Sequence, residues 1–252
     1  MVSASSRKPA PSSVDPDEIA RFAAMAATWW DPDGAARPLH RLNPARLGFI
    51  RDRLAGRFDR APLGPRPFAG LTLLDIGCGG GLVSEPMARL GFQVTGLDAA
   101  AENIEIAKAH AAEQGLAIDY CCSTAEALAA AGAAFDAVLA LEVVEHVAEP
   151  GDFLRSVGQL VRPGGGVVLS TLNRTAKAFA LGIVGAEYVL GWVPRGTHSW
   201  SKFLKPSELA SHARRAGLEL RELAGLGYDP LADSWSLGRN LDVNYLMFAT
   251  RD

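Results

Sequence analysis

Asp75, Gly77, Gly79 and Gly81 alternate through Leu73-Leu74-Asp75-Ile76-Gly77-Cys78-Gly79-Gly80-Gly81-Leu82, and Asp98 follows about twenty residues after the first glycine. Glycines in such a run let the backbone turn sharply and let a ligand approach the main chain. A carboxylate at the distance of Asp98 takes ribose hydroxyls in nucleotide-binding folds. The acid ahead of the turn narrows the choice of ligand. Asp75 would repel a pyrophosphate, and the sixth position counted from Gly77 is Leu82, where a dinucleotide fingerprint has glycine. Asp75 suits a cation, such as the amino group or sulfonium of S-adenosylmethionine.

A second constellation is Glu142-Val143-Val144-Glu145-His146. On a helical turn Glu142, Glu145 and His146 would fall at i, i+3 and i+4 on one face. Two carboxylates and an imidazole can hold a divalent metal or supply a general base; the same residues can also do neither. Arg46 is either a solvated arginine or a clamp for the carboxylate of a cofactor. Trp29 and Trp30 can cover a site or can staple the chain's first helix to the core. His198 can reach a site or simply bond within a turn.

These residues need a scaffold that brings strand ends together. Apolar runs of strand length are expected at 71–76, 91–98, 116–122, 135–141, 167–171, 218–223 and 242–250. Between the first six lie helical stretches at 82–90, 99–114, 123–131, 150–161 and 206–217. Such alternation implies a mostly parallel sheet with right-handed crossovers and ligands at its carboxyl edge. Ahead of it, Asp15, Pro16 and Glu18 form a capping-box pattern that opens one helix, and Asn43 with Pro44 opens another, placing Arg46 in a first turn. The organisation expected is a disordered tail over 1–14, a helical arm and linker over 15–69, and a sheet domain over 70–252. Residues 174–204 are too long for a simple connector. Their apolar run, 178–193, is interrupted by Glu187 and is too short to span a bilayer. It reads as an interfacial lid that admits a greasy substrate, or else as a buried core helix.

The bulk properties exclude several classes. A formal charge of -3 gives no nucleic-acid footprint. Cys78, Cys121 and Cys122 form neither an even disulfide framework nor a C-x-x-C pair, which points to a reducing compartment. The first residues carry no apolar run of the kind a secretory signal needs.

The pattern Asp75, Gly77, Gly79, Gly81 resembles motif I of class I methyltransferases. Further segments make the resemblance specific: Asp17-Glu18-Ile19-Ala20-Arg21-Phe22, Trp29-Trp30-Asp31, Pro38-Leu39-His40-Arg41-Leu42-Asn43-Pro44, Ser170-Thr171-Leu172-Asn173-Arg174, Pro194-Arg195-Gly196-Thr197-His198 and Asp242-Val243-Asn244-Tyr245. Together they resemble the ubiquinone-biosynthesis O-methyltransferase family from about Val14 to Asp252. The resemblance implies an α/β, Rossmann-like fold with a mostly parallel seven-stranded sheet and an antiparallel last strand. It implies methylation of a phenolic hydroxyl on 2-polyprenyl-6-hydroxyphenol and 3-demethylubiquinol, with S-adenosyl-L-methionine as donor. Cofactor contacts carry over to Arg46, Gly77, Asp98 and Leu141, the last often methionine in the family. A divalent cation, magnesium or zinc, is associated with eukaryotic relatives and would fall to Glu142, Glu145 and His146. Lipid contact through the segment matching 175–197 is implied for bacterial members, as is a cytoplasmic, peripherally membrane-associated location beside other ubiquinone-biosynthesis enzymes. Competing readings are a class I methyltransferase for another acceptor, a cofactor-binding scaffold without chemistry, and an NAD enzyme.

Overall fold

The structure is a computed structural model that describes residues 15–24, 26–34, 36–180, 200–229 and 231–252. The expected tail over 1–14, most of the apolar insert and His198 lie outside the described residues. Five strands run parallel: β1 (Thr72–Ile76), β2 (Gln93–Asp98), β3 (Asp119–Cys122), β4 (Phe135–Leu141) and β5 (Val161–Leu172). Three more follow: β6 (Glu219–Asp229), β7 (Ser234–Gly238) and β8 (Asn244–Arg251). The spatial order is β3-β2-β1-β4-β5-β8-β6-β7, with β8 antiparallel to both β5 and β6.

Period-two alternation sends successive side chains to opposite faces. In β4, Val138 and Ala140 face one apolar layer while Ala137 and Leu139 face the other. Both layers are dry, which is why the central strands read as continuous apolar runs rather than alternating ones. α6 (Pro150–Leu160) and α8 (Pro206–Arg215) cover the first layer through Phe153, Leu154, Val157 and Leu209. α2 (Arg37–Arg57) covers the second through Phe49, Ile50 and Leu54, joined by Met87 of α3 (Ser84–Arg89). The remaining helices are α1 (Pro16–Ala23), α4 (Ala101–Glu113), α5 (Ala125–Ala130) and the short α7 (Ala176–Ala178).

Two expectations are corrected. Among the described residues the sheet has eight strands rather than seven. The added strand is β7, a five-residue edge strand that pairs with the glycine-rich end of β6, where Gly225 meets Gly238, and turns only Trp235 inward, partly buried against the layer that α2 covers. Gly225 has no room for a side chain, since a methyl group there would lie 1.7 Å from the Asn240 carbonyl oxygen. The second correction concerns α2. It starts at Arg37 with Pro38 in its first turn, and Pro44 sits inside it. Asn43 therefore caps nothing, and Arg46 lies mid-helix. A proline costs a helix one internal hydrogen bond, so the interpretation of Asn43-Pro44 as a start was reasonable locally. Tertiary contacts described below override it.

α6 and α8 meet with no slack at Gly158. A methyl group there would stand 2.2 Å from the backbone carbonyl oxygen of Ala216. Gly158→Ala is expected to cost ~1–3 kcal/mol through overpacking, lowering the melting temperature by about 2–4 °C for each kcal/mol in a chain of this size. Calorimetric scanning of the variant measures it.

Candidate active site

The carboxyl edge of the parallel strands gathers the residues singled out by spacing. Asp75 is the penultimate residue of β1 and 2% exposed. Its Oδ2 accepts a 2.6 Å hydrogen bond from Ser84 Oγ at the start of α3. Burial pushes its pKa up from 3.8 to about 6, against the pull of Ser84 and of the Arg46 charge. The glycine loop follows. The amides of Gly77 and Cys78 both donate to Leu97 O at the end of β2, at 2.7 and 3.0 Å. Gly77 adopts φ +69, and a methyl group there would sit 2.5 Å from Val143 Cγ2, so only glycine fits between the loop and the turn after β4.

Asp98 closes β2. Its Oδ2 accepts from Gly79 N at 2.9 Å, and its Oδ1 accepts from Ala100 N at 2.9 Å and from Asn103 Nδ2 at 3.2 Å. Burial nonetheless raises its pKa above the ordinary value. The loop and the second acid thus form one hydrogen-bonded unit, as the spacing of about twenty residues requires.

Arg46 is not solvated. It is 3% exposed, and its Nε donates to Asn43 Oδ1 at 3.2 Å. Asn43 Nδ2 in turn donates to Leu82 O at 3.2 Å, just past the glycine loop. Burial disfavours the Arg46 charge, and the Glu142 and Asp75 carboxylates favour it. Leu141 ends β4 in the apolar layer that α2 covers, largely buried.

Glu142 comes next with φ +55, a left-handed conformation rare outside glycine. Ser170 of β5 fixes it twice: Glu142 N donates to Ser170 O at 3.0 Å, and Ser170 Oγ donates to Glu142 Oε1 at 2.7 Å. The following turn, Val144–His146, is 3₁₀ rather than α. Glu145 is 2% exposed; Thr171 Oγ1 donates to its Oε2 at 2.8 Å, while its Oε1 is buried and meets no hydrogen-bond donor among the described residues. Burial, with the Glu142 charge adding to it, pushes the Glu145 pKa well above the carboxylate range. His146 faces a different way. Its Nδ1 lies 3.2 Å from Glu18 Oε2 in α1. Glu18 also receives Lys202 Nζ at 3.3 Å and Arg21. Burial would raise the Glu18 pKa, but His146, Arg21 and Lys202 outweigh it and bring it to about 2.

This arrangement corrects the metal expectation. Glu142, Glu145 and His146 do not share a helical face, because the backbone turns left-handed at Glu142 and then tightens to 3₁₀. Glu142 is engaged by Ser170 and His146 by Glu18. Among the described residues no three His, Cys, Asp or Glu side chains gather as a metal-binding group, so the trio does not fit a divalent ion as it stands.

The tandem tryptophans both cover and staple. Trp29 lies over the loop, where a methyl group at Gly79 would meet its Cζ2 at 2.6 Å and one at Gly80 its Cβ at 2.5 Å. Trp30 Nε1 donates to Gly80 O at 2.9 Å, and its ring stacks on His110 at 3.5 Å between centroids. Sequence reasoning missed Ser84, Asn103 and the role of Glu18. Glu18 looked like half of a capping box, and nothing local marks Ser84 or Asn103, whose partners lie far along the chain.

A parallel sheet reversed at one side, with a glycine loop after its first strand and a carboxylate ending its second, defines a class I, S-adenosylmethionine-dependent methyltransferase. Solved structures agree on the fold. A magnesium protoporphyrin IX methyltransferase from Synechocystis PCC 6803, with S-adenosylmethionine bound, superposes with a TM-score of 0.62 at 16% identity, over 96% of this chain and 100% of that one. A model of the methyltransferase domain matches residues 46–223. The ubiquinone biosynthesis O-methyltransferase of Parvibaculum lavamentivorans is 59% identical over 97% of this chain and 96% of its own length, and that of Caulobacter vibrioides 56% over 95% and 96%. The chain belongs to the ubiquinone biosynthesis O-methyltransferase family.

Asp75 titrates with a defined sign. Between pH 3.8 and about 6 the folded chain holds a proton that the unfolded chain has released, so stability falls as pH rises, and the full cost is present above pH 6. The cost is on the order of 3 kcal/mol. Asp75→Asn lacks it: the difference in unfolding free energy between variant and parent is expected to grow in the variant's favour from pH 4 to pH 7. Urea unfolding across that range reads it.

Proposed function

We propose that the chain moves a methyl group from S-adenosylmethionine to a phenolic hydroxyl of polyprenylated ubiquinone precursors, 2-polyprenyl-6-hydroxyphenol and 3-demethylubiquinol. One observation carries this reading: curated relatives at 54–59% identity over nearly the whole chain bear the name ubiquinone biosynthesis O-methyltransferase. The donor fits the edge of the sheet. Asp98 takes the ribose, the glycine loop from Gly77 through Gly79 makes the tight turn beside it, and Leu141 offers an apolar wall. Asp75 favours the donor's positive end, and Arg46 clamps its carboxylate.

In the transfer, a phenolate oxygen attacks the methyl carbon in line. The carbon–sulfur bond breaks, sulfur keeps the electron pair, and S-adenosylhomocysteine leaves uncharged at sulfur. Positioning supplies much of the rate, ~7–11 kcal/mol when the approach is near attack. The proton is the remaining obstacle. A phenol with a pKa near 10 is ionised in only about one molecule in a thousand at pH 7, a deficit of roughly 4 kcal/mol. His146 is the base in this reading. Its Nδ1 lies against the Glu18 carboxylate, which orients the ring and can hold a ring proton on that side. Glu142 lies close enough to Arg46 to favour its charge, and burial disfavours the charged form of Glu145 beside it.

A prenylated acceptor is a lipid, and the membrane surface is the partner proposed for the segment over 174–204, with the other enzymes of ubiquinone synthesis beside it. Phe179 and Trp200, on either side of the undescribed stretch, are 46% and 44% exposed. Among the described residues no helix is long and apolar enough to cross a membrane; peripheral attachment at the cytoplasmic face is part of the proposal.

The acceptor is tested by incubating the enzyme with labelled donor and a demethylubiquinol carrying a prenyl tail. Label in the quinol is expected; its absence, with transfer to an unrelated phenol, overturns the assignment. The base is tested by His146→Ala, expected to lower kcat by ~10²–10⁴-fold. The loss should shrink at high pH or with an acidic nitrophenol acceptor, which needs no base. Full turnover in the variant at pH 7 removes His146 from the role.

A further inference from the structure

Asp98 is held by more than the glycine loop. Asn103, in the first turn of α4 and 1% exposed, donates from Nδ2 to Asp98 Oδ1 at 3.2 Å. The other end of the same amide, Oδ1, accepts from Trp29 Nε1 at 2.8 Å. Trp29 is itself fixed, since its carbonyl accepts from His40 Nε2 at 2.9 Å and its ring is pressed against Gly79 and Gly80. A relay thus runs from the helical arm through α4 to the carboxylate at the end of β2, spanning residues that are 74 positions apart in sequence at the Trp29–Asn103 bond.

The relay has a direction. An indole nitrogen can only donate a hydrogen bond, whereas a carboxamide can turn either end toward a neighbour. Trp29 demands the oxygen of Asn103, so the NH₂ must face Asp98. Without the indole N–H the amide is free to flip. Its oxygen would then oppose the carboxylate, and one of the donors that hold Asp98 Oδ1 would be lost. Buried groups left in that state carry the whole desolvation penalty.

We propose that Trp29 and Asn103 are positioning residues for the donor's ribose: the arm sets the orientation of the Asp98 carboxylate through the Asn103 amide. Neither residue needs to touch the donor for this. Docking of the arm and capture of the ribose then become one event, and the arm contributes to donor affinity as well as to packing. The inference rests on the reading that Asp98 binds the ribose hydroxyls.

The test compares S-adenosylhomocysteine with its 2′,3′-dideoxy analogue by titration calorimetry. The wild-type protein is expected to bind the hydroxylated ligand about 100-fold more tightly, as two hydrogen bonds to a charged group would give. Trp29→Phe keeps an aromatic ring beside Gly80 and removes the donor together with the part of the indole that lies over Gly79; Asn103→Ala removes the relay. In each the gap is expected to fall to about 10-fold or less. The double variant should show the same gap as Asn103→Ala alone. In steady state, KM for the donor should rise by a larger factor than kcat falls. A gap that stays wide in both variants, whatever the overall affinity, overturns the inference and leaves the ribose reading standing. A wild-type protein that shows no gap overturns the ribose reading and the inference with it.

Discussion

Arg46 carries a positive charge out of water into the middle of the fold, and the sheet edge is arranged around that fact. A buried guanidinium is costly unless opposite charges and acceptors surround it. Here Glu142 arrives from β4 and Asp75 from β1, and Asn43 supplies a neutral oxygen one helical turn away. The requirement explains why α2 runs through Pro44 instead of starting there. Phe49, Ile50 and Leu54 bury the rest of the helix against the sheet, and the apolar area gained outweighs one missing backbone bond. The same requirement explains why the glycine loop, α2 and the turn after β4 are locked together by Asn43–Leu82 and by Val143 against Gly77.

α1 and the turn that follows it make directional polar and aromatic contacts with the core. Glu18 joins α1 to His146 and Lys202, Trp30 joins the following turn to Gly80 and His110, and Trp29 joins it to Asn103. Glu85 is fully buried beneath this contact and is met by His110 Nδ1 at 2.6 Å and by Arg89 at 3.2 Å. Such contacts are directional, so they fix one geometry more sharply than apolar packing alone. A site that must hold a charged, flexible donor gains from that sharpness.

Much of this was legible in the chain. The central strands announced themselves because both faces are buried, and β4 was read to the residue. Asp75, the glycines and Asp98 are legible because strand, turn and helix place them by local geometry alone. What escaped depends on distant partners. The start of α2 was misjudged because Asn43-Pro44 satisfies every local rule for a helix beginning. The metal trio was misjudged because the i, i+3, i+4 argument presumes a helix, and nothing local reports that Glu142 turns left-handed. β7 escaped because its alternation, Ser234-Trp235-Ser236-Leu237, is too brief to stand out at an exposed edge. Asn103 could not be found from sequence at all, since a polar residue in a first helical turn is commonplace.

The conformation of Glu142 sets folding against chemistry at a single position. A side chain held in that region of backbone space costs roughly 1–3 kcal/mol relative to a relaxed one, and glycine would sit there without complaint. The chain keeps the carboxylate and lets Ser170 hold it down. Replacement by glycine would relieve that strain but would also remove one of the two carboxylates that offset the buried Arg46 guanidinium, a loss of about 3–5 kcal/mol. The second effect is the larger, so a selection for thermal robustness alone would retain the acid at this codon despite its backbone.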